Sequence, residues 1–140
     1  VTSSACDPKN IFLYSSVGYI LLDQNLTILD ANSKALECLG RVVSLALFEA
    51  KGLSLKELLP KHSPELLELV LTAKRDGKVH HEESLKVIGK DKKACYFDVT
   101  VIPASSSCLF LECRDVSEEV FLLEKLKRER DFSRMLLEKT

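Results

Sequence analysis

The chain has 140 residues, a net charge of -1, and a composition that is 46% hydrophobic and 29% charged, which suits one domain with one real core. The near-neutral balance removes the electrostatic basis for binding nucleic acid or an anionic membrane, and nine aromatic residues without a Trp suggest no base-stacking platform. No apolar run approaches the ~18–20 residues of a membrane span, residues 1–10 are too polar for a signal peptide, and Val1 in place of Met gives the expectation of a piece cut from a longer chain.

Residues 1–7 read as a disordered lead-in. Residues 8–15 form a candidate short helix with Ile11, Phe12 and Tyr14 as its apolar contacts. The run GYILLD at Gly18–Asp23 and the run TILDA at residues 27–31 are rich in strand formers. Gln24 and Asn25 between them supply turn chemistry, so the two are expected to pair as an antiparallel hairpin. Asn32 is placed to cap a helix over residues 33–39. That helix has Ala35, Leu36 and Leu39 on one face, and Gly40 follows as the C′ residue. Residues 41–51 are ambiguous and leave room for one short helical segment. Ser54 and Glu57 have capping-box spacing. Leu55, Leu58 and Leu59 follow, and Pro60 is expected to stop the turn. Ser63 and Pro64 then open a longer helix in which Leu66, Leu69, Val70 and Ala73 recur at helical spacing, ended by Gly77.

The period changes from helical to two at this point. Residues 79–88 read as a long strand and residues 89–93 (GKDKK) as a polar hairpin tip. Ala94–Pro103 alternates cleanly, with Cys95, Phe97, Val99 and Val101 on one face. Residues 104–107 form a loop of small residues, and residues 108–114 a last strand with Leu109, Leu111 and Cys113 facing the core. Residues 117–140 contain neither Gly nor Pro and carry six acidic and six basic side chains. They read as one long, heavily charged helix capped by Ser117 or Asp115. Runs of strands separated by a run of helices argue an α+β fold with an antiparallel sheet.

This order resembles the PAS fold, a five-stranded antiparallel sheet with helices packed on one face. The sequence is similar to the family at several separated points. Residues 28–32 (ILDAN), with Ala35 and Gly40, resemble the passage from the second strand into the first helix. Residues 52–60 (GLSLKELLP) resemble the segment before the long connecting helix. Residues 89–93 stand where the family often has a Lys-Asp-Gly turn, with Lys92 in place of the glycine. Residues 114–117 (RDVS) are similar to the Asp-Ile-Thr motif that joins the last strand to a signalling helix. By that resemblance Asp115 and Ser117 form a signal junction that ties the output helix to the core. Residues 129–138 (ERDFSRMLLE) look like the helix that opens a second PAS domain in tandem sensors.

No convergent set of polar groups points to catalysis, and phosphate-binding glycine loops are absent, so the domain is expected not to be an enzyme. The histidines are His62, His80 and His81. Neighbours on a strand face opposite ways, so at most one of His80 and His81 faces the core. If Leu85 and Val87 point inward, His81 shares their side. It is then either an ordinary strand histidine or a ligand contact. Haem-binding relatives usually take an axial histidine from the connecting helix, and Pro64–Asp76 has none. Flavin-binding LOV relatives carry an Asn-Cys-Arg-Phe motif, which is missing. Haem and LOV-type flavin are therefore disfavoured, and no cofactor or metal is expected. The family's usual ligand site is an apolar cavity between sheet and helices. Its candidate lining is Leu36, Leu39, Leu58, Leu66, Val70, His81, Leu85, Phe97, Val99, Leu109 and Leu111, residues that serve equally as plain core.

The five cysteines are Cys6, Cys38, Cys95, Cys108 and Cys113. Their number is odd and they lack zinc-type or haem-attachment spacing. They read as reduced thiols of a cytosolic domain, with a disulfide or redox sensor as the alternative. Along the terminal helix Leu122, Leu126 and Leu136 fall in one heptad frame, and Leu123, Leu126 and Leu137 in a second. Polar residues dilute both, which implies a marginal coiled coil. The expected organisation is a lead-in and short helix at 1–15, a PAS core at 16–116 and a signalling helix at 117–140. The expected function is a cytoplasmic sensory module of a signal-transduction protein such as a histidine kinase, a placement compatible with a membrane-anchored parent. It would dimerise through the terminal helix and act on an effector or a second PAS domain in the same chain. The alternatives are an interaction-only PAS domain with a filled core, or a receptor for an unidentified small molecule.

Overall fold

The computed structural model describes residues 17–42 and 51–139. The expected helix at 8–15, most of the ambiguous stretch after Val42, and Cys6 lie outside the described residues. Five strands form one antiparallel sheet in the order β2-β1-β5-β4-β3: β1 (Gly18–Asp23), β2 (Ile28–Ala31), β3 (His80–Ile88), β4 (Ala94–Pro103) and β5 (Cys108–Asp115). Helices α1 (Ser33–Val42), α2 (Leu55–His62) and α3 (Pro64–Asp76) connect β2 to β3, and α4 (Ser117–Lys139) leaves the end of β5. This is the α+β PAS arrangement expected from the order of elements. The core lies between the helices and one sheet face, where Leu22, Ile28, Val70, Val99 and Val101 are almost wholly buried.

The β1–β2 turn is built by Asp23. Its Oδ1 accepts from the amides of Asn25 (2.8 Å) and Thr27 (2.9 Å). Leu26 takes a left-handed φ of 63° there, a cost for a non-glycine residue offset by burying its side chain. Asn32 caps α1 as its position implies. Its Oδ1 accepts from the Ala35 and Tyr19 amides, both at 2.9 Å, and its Nδ2 donates to the Val17 carbonyl at 2.9 Å. One fully buried amide side chain thus joins the start of α1 to β1.

Three local expectations need correction. Gly40 does not end α1. The helix runs on to Val42, which is buried on the same stripe as Ala35, Cys38 and Leu39. Burial of that extra apolar residue outweighs the glycine's preference for a terminus. Ser54 stands at the N-cap of α2, but its side chain makes no capping bond. The backbone here runs alongside β2 instead. The Gly52 amide donates to the Ile28 carbonyl (2.8 Å), the Ile28 amide to the Leu53 carbonyl (2.9 Å), and the Leu55 amide to the Leu26 carbonyl (2.9 Å). Pro60 does not stop α2, which continues to His62. The carbonyl that the proline leaves without its helical donor belongs to Lys56, an exposed residue whose backbone water can reach.

Ser63 and Gly77 frame α3 as the sequence indicates. The Ser63 Oγ accepts from the Leu66 amide at 3.3 Å and donates to the Lys86 carbonyl at 2.9 Å, pinning the helix to β3. Gly77 closes the helix with φ 68°. At the β3–β4 tip, Lys92 has φ 65°, the left-handed conformation a glycine would take more readily. Gly89 is needed for a different reason. A Cβ there would come within 2.7 Å of the Arg41 carbonyl, and the tip sits against α1 with the Lys90 amide donating to that same carbonyl at 3.2 Å.

Replacing Asn32 with Ala removes the helix cap, worth ~1 kcal/mol, and leaves a backbone amide of β1 short of its acceptor, a further ~1–3 kcal/mol. The expected result is a loss of ~2–4 kcal/mol of stability. It would be read as a lower urea midpoint at unchanged slope.

Candidate functional site

Between the sheet and the three helices the described residues leave an apolar cavity of about 60 Å³. Small-molecule pockets usually measure ~300–1,000 Å³, so this space is closed down to a packing void. Leu39, Leu58, Leu66, Phe97, Val99 and Leu111 line it, as the sequence suggests. Val70, Leu85 and Leu109 are buried core residues away from its wall, and Leu36 is half-buried to the side. The wall also includes residues that sequence reasoning passed over: Ile20, Val42, Leu55, Leu59, Val87, and the two thiols Cys38 and Cys113.

His81 is not near the cavity. β3 pairs Glu82 with Val99 and Leu85 with Phe97, so three residue steps on β3 span two on β4. This bulge, with Ser84 at φ 51°, inserts one residue and reverses the alternation upstream of it. Leu85 and Val87 face inward, but His81 is turned to the outer face. There its Nδ1 lies 2.7 Å from the Thr100 hydroxyl. His80 takes the helix-side position and meets the Asp76 carboxylate at the end of α3 (2.7 Å). The Lys78 amide and His80 together hold the Asp76 carboxyl below the usual carboxylate range. Among the described residues, no group of three or more His, Cys, Asp or Glu side chains is placed to hold a metal ion.

The better-defined site is where β5 becomes α4. The last β4–β5 pair is Phe97 with Asp115. One residue further, the β4 backbone at Tyr96 is met by the incoming helix. The Val116 amide donates to the Tyr96 carbonyl at 2.8 Å. The Ser117 Oγ accepts from the Tyr96 amide at 2.8 Å and reaches its carbonyl at 3.4 Å. Both Val116 and Ser117 are buried. The Asp115 Oδ1 accepts from the Ser117 amide at 2.9 Å, a cap at the helix start. Its Oδ2 pairs with the Arg41 guanidinium of α1 at 2.6 Å. The Asp115 side chain is mostly buried while that of Arg41 is 57% exposed, so solvent screens the pair and its energy is small. Its value is geometric, since it links α1, β5 and α4 at one point. The Tyr96 and Phe121 rings add an edge-to-face contact with centroids 5.8 Å apart.

Beyond this first turn α4 is exposed along its length. Leu122, Leu123, Leu126, Leu136 and Leu137, the expected seam residues, are all exposed, and so are Phe121, Phe132 and Met135. These apolar side chains fall in two groups, separated by the charged run at residues 127–131 (KRERD). Among the described residues no helix is long and apolar enough to cross a membrane.

The family described as PAS fold matches residues 14–120, which is the sheet, its helices and the first turn of α4. Solved structures agree on the fold. The PAS domain of nitrogen regulation protein NR(II) from Vibrio parahaemolyticus is 24% identical. The match covers 77% of this chain and 96% of that one, with a TM-score of 0.60. A domain of a sensory box sensor histidine kinase/response regulator from Geobacter sulfurreducens is 15% identical over 76% of this chain and 90% of its own, with a TM-score of 0.57. A sensory box sensor histidine kinase from Vibrio cholerae is 18% identical over 72% of this chain and 79% of its own, with a TM-score of 0.53. No curated protein matches the sequence significantly.

Proposed function

The chain belongs to the PAS family, and on that premise we propose that it is a non-catalytic sensory and dimerisation module, passing a signal through α4 to an effector or a second PAS domain of the same cytoplasmic signalling protein. The observation that carries this reading is the junction at Asp115–Ser117. There the output helix is hydrogen-bonded to β4 and capped by a β5 carboxylate that is itself paired with α1, while the rest of its length is exposed. A helix held so firmly at one end and exposed along the rest is suited to moving as a lever. The solved structures that share the fold include sensor histidine kinases, which favours a kinase of that type as the parent.

Exposed Leu, Phe and Met side chains on one helix need a cover, and a second copy of α4 in parallel supplies one. The charged interruption at 127–131 keeps such a dimer marginal, and a marginal seam can be shifted between two packings by a few kcal/mol. Single cysteines introduced along residues 122–137 of the full-length protein should cross-link between chains. The strong positions should be spaced in steps of three and four. Absence of an interchain cross-link at every position would rule out the dimeric helix.

The small cavity supports a second reading, in which the core is filled and the domain senses through a partner or neighbouring domain rather than a bound ligand. Native mass spectrometry separates the two. A mass equal to the polypeptide alone, or to its dimer, is expected of a filled core. A retained small molecule would instead make the chain a ligand receptor.

A further inference from the structure

Two of the thiols lie together in the cavity wall. Cys38, on α1, and Cys113, on β5, are both more than nine-tenths buried and face the same cavity of about 60 Å³. A glycine makes the approach possible. Gly18 is the β1 partner of Cys113, and a Cβ on it would stand 2.8 Å from the Cys113 Sγ and 3.0 Å from the Ala35 Cα. With no side chain at that point, α1 settles onto β1 and β5 and brings its Cys38 to Cys113.

The two sulfurs differ in access. Cys113 borders the interior cavity. Cys38 borders both that cavity and a surface cleft of about 220 Å³ beside the junction, whose other lining residues are Lys34, Glu37, Arg41, Asp115, Glu118 and Glu119. Of the two cysteines, Cys38 alone borders this cleft. The neighbouring Cys113 thiol lowers the Cys38 pKa, against the opposing effects of burial and Asp115 and with smaller help from Lys34 and Arg41. Cys38 and burial raise that of Cys113. Access through the cleft and the lowered pKa both favour Cys38 as the sulfur that a peroxide meets first, with Cys113 as the resolving thiol.

We propose that Cys38 and Cys113 form an oxidisable dithiol, in which a hydroperoxide attacks Cys38 through the junction cleft and Cys113 resolves the product to an intramolecular disulfide. In the first step the Cys38 thiolate takes one oxygen from the peroxide. The O–O bond breaks, an S–O bond forms, and hydroxide leaves with the proton that Cys38 released. In the second step the Cys113 sulfur attacks the Cys38 sulfenic acid. The S–O bond breaks, the S–S bond forms, and the Cys113 proton leaves in water. Two thiols and one hydrogen peroxide thus give one disulfide and two waters. Shortening the contact to a bond of ~2.05 Å draws α1 toward β5. Cys38 is one turn before Arg41, and Cys113 is two residues before Asp115, so the bridge closes beside the ion pair at the helix junction. The oxidation chemistry stands independently of whether α4 relays a signal.

The test uses the full chain with Cys6, Cys95 and Cys108 replaced by Ser, treated with hydrogen peroxide near neutral pH and mapped without reduction. A peptide linking Cys38 to Cys113, lighter by two hydrogens and released by dithiothreitol, is expected. Cys113→Ser, or Cys113→Ala should the first variant not fold, should trap a dimedone-reactive sulfenic acid at Cys38. Cys38→Ser should leave Cys113 unlabelled. The proposal is overturned if both thiols stay reduced, if each is oxidised to sulfinic acid with no linked peptide, or if Cys113 is labelled first.

Discussion

At Tyr96, β4 stops receiving a strand and begins receiving a helix. Its amide and carbonyl would be orphaned by the end of β5, and a half-buried backbone group left without a partner costs ~1–3 kcal/mol. The Ser117 hydroxyl and the Val116 amide take them instead. That substitution sets where α4 starts and in which direction it departs. Because Ser117 is held by Asp115 and Asp115 by Arg41, the proposed relay would carry a displacement of α1 or of the end of β5 to the base of the helix. Everything proposed for output rests on this short hydrogen-bonded chain.

Among the described residues, the core behind the junction leaves a cavity of about 60 Å³. Close-packed interiors transmit strain rather than absorb it. A filled core is therefore compatible with sensing, provided the stimulus acts on the packing itself. Two features place such a stimulus near the output. The β3–β4 tip rests on the Arg41 carbonyl, so α1, the tip and the junction meet around one residue. Cys38 of α1 and Cys113 of β5 line the same cavity a few residues from the same point, where the proposed disulfide would form.

Much of the fold was legible because the relevant signals are local. Asn32, Ser63 with Pro64, and Gly77 announce helix boundaries by their own chemistry, and the alternation of β4 announces its faces. The junction was legible only through resemblance, because nothing in RDVS itself says that Ser117 will reach the backbone of Tyr96, twenty-one residues away. The failures have one physical type. The spacing of Ser54 and Glu57 implies a side-chain cap, but the backbone around Ser54 is committed to β2, and Gly40 implies a stop, but Val42 still has core to bury. His81 was placed on the wrong face because strict alternation cannot anticipate the bulge at Ser84, the residue with φ 51°. The apolar pattern of the sequence points α1 inward along Leu36, whereas the buried stripe is rotated toward Cys38 and Val42. Tertiary pairing overrode local preference at each of these positions.

The most direct measurement is the direction of α4 relative to the sheet. Nitroxide labels at the exposed residues Lys90, on the β3–β4 tip, and Lys127, on α4, would report it as a distance distribution by pulsed dipolar spectroscopy. If Ser117 fixes the departure of the helix, the native chain gives one narrow distribution, and Ser117→Ala broadens it while the circular dichroism of the core is retained. A distribution already broad in the native chain, or one unchanged by Ser117→Ala, would contradict a relay through this junction.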